Sequence, residues 1–207
     1  MEPTQLRQVP YRKARPYIRS GDLLLLRGGR RWAHRLIAAG GRSRYVHAAM
    51  AAWWNRDLMC LEMVQGRGGR AVCLSHQVAL CPCRWDVYDL LPVGSQKVDR
   101  ALAVRAMKRL TGIPYGWKAL VWVICRHWPL IRWLLPAPEE DMPIPTVGRT
   151  PPGLPEPMFC SQAVAWAYRV AGLDPTPNLP DRLTEPGDLA RSPIFRYRFT
   201  LLPDEGE

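Results

Sequence analysis

Pro157-Met158-Phe159-Cys160-Ser161-Gln162-Ala163 and, much earlier in the chain, Arg44-Tyr45-Val46-His47-Ala48-Ala49-Met50 decide how this sequence is read. The first stretch opens an apolar-periodic segment, residues 159–171, that Gly172 closes, so the pattern predicts a helix with Cys160 in its first turn. N–H groups there have no intrahelical partner and the helix dipole is positive, which favours a thiolate over a thiol. The second stretch, within residues 45–54, is strand-like, with aromatic ends and small residues between, and His47 lies along it. An imidazole brought to such a thiolate would stabilise it and later return a proton to a leaving group. Each residue alone has a plainer reading, a small core cysteine and a satisfied polar histidine.

Outward from these stretches the chain alternates short strands and helices. Residues 22–27 read as a buried strand, and 31–39 as a short helix stopped by Gly40-Gly41. Residues 58–65 return as the hairpin partner of the histidine strand, with a turn at Asn55-Arg56-Asp57. Further strands are expected at 71–74 and 84–90, a helix at 98–110, and a last strand at 194–202. Period-two alternation puts His47 on one face with Ala49 and Ala51. The turn then selects a third polar residue. A two-residue turn at Arg56-Asp57 sets Glu62 opposite Ala51 on that face, whereas a three-residue loop sets Gln65 opposite His47. The hairpin alone leaves both open.

Composition points to one domain. A chain of 207 residues with 47% hydrophobic residues can bury a substantial core. The net charge is +11, concentrated in an arginine-rich arm over residues 1–19 (Arg7, Arg12, Lys13, Arg15, Arg19) and between Arg27 and Arg44. Pro10 and Pro16 interrupt that arm, which is expected to be mobile or loosely docked, with the folded domain spanning 20–207. The basic surface suits anionic lipid, an acidic polymer or nucleic acid, but no nucleic-acid-binding motif accompanies it, so nucleic acid is not an expected partner. Residues 5–18 carry charges throughout and no apolar run of the kind a secretory signal needs. With six cysteines, that predicts free thiols in a reducing, cytoplasmic setting.

The order of these segments resembles the YiiX-like branch of permuted papain-fold cysteine hydrolases, relatives of NlpC-type peptidoglycan peptidases and of lecithin:retinol acyltransferase. Ser20-Gly21-Asp22-Leu23-Leu24-Leu25-Leu26-Arg27, the His47 segment, Leu61-Glu62, the Cys160 segment and Thr184-Glu185-Pro186-Gly187-Asp188-Leu189 carry the likeness across most of the chain. It implies an α+β, permuted papain-like (NlpC-type) fold, in which a central antiparallel sheet packs against the helix bearing the cysteine. The histidine precedes the cysteine in that branch, as here. The resemblance also implies a thiol hydrolase or acyltransferase acting on an amide, ester or thioester, with a peptide, muropeptide or acyl lipid as substrate. Cys160 would be the nucleophile, His47 the base and Glu62 the residue that orients it, since Leu61-Glu62 matches the family's polar position on the following strand. The Cys160 N–H is the natural oxyanion donor, with Tyr45 or Tyr115 as a second. The contrasting reading is a catalytically idle module of the same fold that binds membrane or cell-wall polymer through its basic surface.

Two further segments invite other chemistry. Cys73, His76, Cys81 and Cys83 bring four soft ligands close together, but the spacing is unusual for zinc, and alternation along 80–91 would put Cys81, Cys83, Trp85 and Val87 on one buried strand face. No metal or cofactor is expected. Residues 117–135 hold Trp117, Trp122, Trp128 and Trp133 among aliphatics, interrupted by Lys118, Arg126, His127, Pro129 and Arg132. The charges argue against a membrane span. A fold helix inserted before the cysteine segment and a peripheral contact at the bilayer interface both fit. A proline-rich loop, 136–157, follows.

Overall fold

Four consecutive leucines, Leu23–Leu26, are all buried, because the strand they form lies inside a sheet covered on both faces. In the computed structural model, which describes residues 7–28, 43–82, 84–91, 99–126 and 155–204, seven strands form one mixed sheet. They are β1 (Gln8–Pro10), β2 (Leu23–Arg27), β3 (Tyr45–Trp54), β4 (Asp57–Val64), β5 (Gly68–Cys73), β6 (Trp85–Leu90) and β7 (Phe195–Leu202), in the order β1-β7-β6-β2-β3-β4-β5. All neighbours are antiparallel except β1 and β7. The described helices are α1 (Tyr11–Ala14), α2 (Leu74–Leu80), α3 (Arg100–Arg109), α4 (Trp117–Arg126), α5 (Cys160–Val170) and α6 (Pro186–Arg191). The architecture is α+β, as expected from the sequence.

Alternation along the strands sorts the core into two layers. Leu23, Leu25, Ala48, Met50, Leu61 and Met63 pack with α3, α5 and α6. Leu24, Ala49, Ala51, Leu58, Cys60, Trp85 and Val87 pack with Tyr11 and Ala14 of α1 and with Leu74 and Val78 of α2. The cysteine helix is tied to the sheet by Tyr168, whose fully buried hydroxyl donates to the Gly21 carbonyl at 2.6 Å, just before β2.

Several expectations need correction. The basic arm is not loose over its described part: Gln8–Pro10 adds to β7, and Tyr11, Ala14 and Ile18 are buried. Residues 80–91 are not one strand. Leu74–Leu80 is helical, Cys81 follows in a bend, and β6 begins at Trp85. The strand expected at 71–74 is longer and earlier, Gly68–Cys73, since Gly68 and Gly69 lie against the Ile113 and Leu110 carbonyls where no Cβ would fit. The helix at 31–39, Cys83, residues 127–135 and nearly all of the proline-rich loop lie outside the described residues.

The hairpin register also differs from both sequence alternatives. Trp54 pairs with Asp57, so the turn is Asn55-Arg56, and Asn55 takes the left-handed conformation (φ 55°) that asparagine tolerates best after glycine. Glu62 consequently faces Ala49. Gln65 lies beyond the end of β4.

Candidate active site

Antiparallel pairing fixes which backbone groups of β3 remain available. Ala51 exchanges its two bonds with Gly21 and Asp22, on the β2 side, so by alternation the amide of Ala48 points toward β4. The β3–β4 ladder, however, runs only from Trp54–Asp57 to Ala49–Glu62. Beyond that point the strands part, and the start of α5 enters the gap. There the Cys160 sulfur accepts hydrogen bonds from the Ala48 and Ser161 N–H groups and contacts the His47 imidazole.

The histidine is held from the other side. His47 and Glu62 share the face of Ala49 and Cys60, and being diagonal across the strand pair they come within reach. His47 Nε2 lies 2.7 Å from Glu62 Oε2, which leaves Nδ1 for Cys160. The other Glu62 oxygen, Oε1, accepts from Arg70 Nε at 2.9 Å and Nη2 at 2.7 Å. Arg70 is the direct cross-strand partner of Glu62 on β5. The ring of His47 meets Trp85 edge-on, 6.1 Å between centroids. Each Glu62 oxygen thus has its own cation or ring, and the carboxylate is almost wholly buried.

These contacts set the charge states. Burial raises the Glu62 pKa, but His47 and Arg70 overcome it and hold the carboxyl below its usual range. Burial would likewise keep His47 neutral, yet the Cys160 thiolate and the Glu62 carboxylate together push its pKa up to about 10. For Cys160, burial opposes ionisation, while the imidazolium and the Ala48 and Ser161 N–H groups outweigh it and lower the pKa. The arrangement therefore favours a thiolate–imidazolium pair backed by a carboxylate.

Tyr115 completes the surroundings of the sulfur. A short parallel bridge between Tyr115 and Met158, with the Gly116 N–H donating to the Met158 carbonyl at 3.0 Å, lays this segment against the approach to α5. Gly116 is required there, because a Cβ would stand 2.8 Å from Pro157 O and Met158 C. The Tyr115 hydroxyl receives the Cys160 N–H and contacts the sulfur and Gln65; burial and the neighbouring thiolate raise its pKa, so it stays protonated. Phe159, the residue before the helix, offers no side-chain acceptor, which leaves the first-turn N–H groups for the site.

Of the residues singled out in the sequence, His47, Glu62 and Cys160 come together, and Tyr115 joins them. Gln65 contacts Tyr115 instead of His47. Tyr45 is elsewhere, its hydroxyl bonded to Asp86 and Tyr88 at 2.8 Å each. Arg70 was missed; counting back across the glycine turn after Val64 would have set it opposite Glu62. Among the described residues, no cluster of three or more His, Cys, Asp or Glu side chains is placed to hold a metal ion, and Cys73 is exposed at the end of β5.

The sheet order and the helix inserted at its parted strands define a YiiX-like α+β fold. The crystal structure of the metalloprotein YiiX from Escherichia coli O157:H7 superposes with a TM-score of 0.59, covering 90% of this chain and 99% of that one at 16% identity. At that identity the likeness is one of fold. No protein-family model and no curated protein matches the chain.

Proposed function

We propose that this protein is a cysteine hydrolase or acyltransferase of the permuted papain-like kind, acting on an amide, ester or thioester through a covalent Cys160 intermediate. The observation that carries this reading is the continuous chain Cys160–His47–Glu62–Arg70, in which the sulfur, the imidazole, the carboxylate and the guanidinium are partnered in series. The Cys160 thiolate attacks the carbonyl carbon, and the carbonyl π electrons move to oxygen. The Tyr115 hydroxyl, which accepts from the Cys160 N–H and keeps its own O–H beside the sulfur, is the donor for that oxyanion. As the tetrahedral species collapses, His47 gives its Nδ1 proton to the leaving amine, alcohol or thiol. The acyl-enzyme then passes its acyl group to water or to an acceptor nucleophile whose proton His47 takes, restoring the ion pair. Glu62 and Arg70 act as positioning residues: the carboxylate fixes the ring and favours imidazolium, and the guanidinium fixes the carboxylate.

Incubation with an electrophilic thiol probe, then with acyl, peptide and muropeptide substrates, tests the proposal. A covalent adduct on Cys160, absent from Cys160→Ser and His47→Ala, is expected. If Cys160 is inert toward every probe and substrate, the idle binding module takes its place.

A further inference from the structure

The end of the sheet remote from Cys160 carries a second concavity. Where β1 runs beside β7, a groove of about 910 Å³ opens between α1 and the first half of β7. It lies three strand steps from β3, or about 15 Å at the usual strand spacing. Arg7, Arg12 and Lys13 line one wall, Arg196 and Arg198 the other, and Tyr17 sits at the rim with 62% of its surface exposed. Five cations answer to two carboxylates: Arg12 reaches Asp204 at 4.0 Å, and Arg196 reaches Asp89 at 3.7 Å, an anion already shared with Arg100. Among the described residues, Arg7, Lys13 and Arg198 face no acid.

The cations are mounted on a rigid frame. Arg7 anchors the edge through its carbonyl, which accepts from Thr200 N–H at 2.8 Å. Arg198 donates to the Tyr17 carbonyl at 2.6 Å and lies over the Phe199 ring at 5.4 Å, which aims its guanidinium while leaving its charge unspent. Like charges gathered in one groove repel, and a fold that holds five cations against two carboxylates is preorganised for an anion. Guanidinium groups match phosphate oxygens two at a time. The groove is far larger than one phosphate and is concave, so a flat bilayer surface cannot fill it; a group bearing several phosphates can. We propose that this groove binds closely spaced phosphates, separately from the chemistry at Cys160.

Isothermal titration with inorganic tripolyphosphate, alongside flotation with phosphatidylcholine vesicles carrying either phosphatidylinositol bisphosphate or phosphatidylserine, tests this. Tripolyphosphate should bind, and the Arg7→Gln/Lys13→Gln double variant should weaken binding by about tenfold or more, as loss of charge-assisted hydrogen bonds requires. Arg105→Gln, on α3, should bind as the parent does, and all variants should melt and react with thiol probe alike. Binding of tripolyphosphate without vesicle recruitment assigns the site to a soluble ligand. Recruitment to phosphatidylinositol bisphosphate vesicles, reversed by tripolyphosphate, assigns it to a lipid headgroup. No binding in either format, binding that survives the double variant, or equal recruitment by phosphatidylserine would overturn the proposal.

Discussion

Replacing Glu62 with glutamine keeps the shape of the side chain and removes its charge, which separates the structural from the chemical work of the carboxylate. In the native site it accepts from His47 at 2.7 Å and from Arg70 at 2.9 and 2.7 Å while nearly excluded from water. A charge-assisted bond of this kind contributes about 1.5–3 kcal/mol, so its loss should lower the proton affinity of His47 by about one to two pKa units. The thiolate–imidazolium pair then forms less readily, and alkylation of Cys160 at mildly acidic pH should slow by about 10- to 100-fold. Arg70 is also left without its anion, which should cost about 1–3 kcal/mol of stability, less than for a fully buried ion because a quarter of its side chain meets solvent. Adding Arg70→Gln should recover stability but not reactivity. Iodoacetamide kinetics against pH, read by mass spectrometry beside thermal melts, separate the two effects. If Glu62→Gln melts lower yet the rate profile of Cys160 is unmoved, Glu62 is a partner for Arg70 and nothing more, and the reasoning fails.

Among the free cysteines, Cys160 should label first at mildly acidic pH and His47→Ala should remove that preference, whereas Cys60, whose thiol is pushed well up by burial and by Glu62, should not react in the folded protein. The pH dependence of stability follows from both partners. His47 adds stability that is full below about 6.5 and lost as pH rises through about 10, and Cys160 adds stability that is present above about 9 and lost as pH falls through its lowered value. The two slopes oppose each other below about 9, and above it only the His47 loss remains, so the stability difference between the parent and His47→Ala/Cys160→Ser in denaturant melts should shrink as pH rises from about 9 through 10; a difference that holds steady there would mean that His47 gains no proton affinity from the site. Gly116→Ala should cost more stability than an exposed glycine substitution, and slow Cys160 labelling, because its Cβ would meet Pro157 and Met158 backbone at 2.8 Å; a wild-type melt and labelling rate would refute that packing. Trp117 and Val121 of α4 are about half exposed, and flotation with neutral vesicles tests whether they enter a bilayer interface; among the described residues no helix is long and apolar enough to cross a membrane.

Much of this site could be read from the chain because its parts obey local rules. β3 spans the expected residues, since a run of small residues between aromatic ends suits a strand packed on both faces, and the α5 start follows from apolar periodicity. What escaped depended on single-residue choices. The turn at Asn55-Arg56 shifted the hairpin register, yet Glu62 kept the right face because the shift from the first alternative was two residues, an even number. Arg70 was invisible because the expected strand began after it. Leu74–Leu80 was too short for its helical period to outweigh the alternating cysteines that follow. The burial of the basic arm is a tertiary effect, decided by a free edge of β7 that no local pattern announces.

The division of the site between one hairpin and one distant helix has a consequence for the nascent chain. His47, Glu62 and Arg70 lie on adjoining strands and emerge early from synthesis, so imidazole, carboxylate and guanidinium can assemble from neighbouring sequence. Cys160 emerges much later and, until α5 docks between the parted strands, is an ordinary thiol, protonated at neutral pH and slow toward electrophiles. On the proposed reading the thiol becomes reactive only once α5 has docked, so labelling of Cys160 would report completed folding.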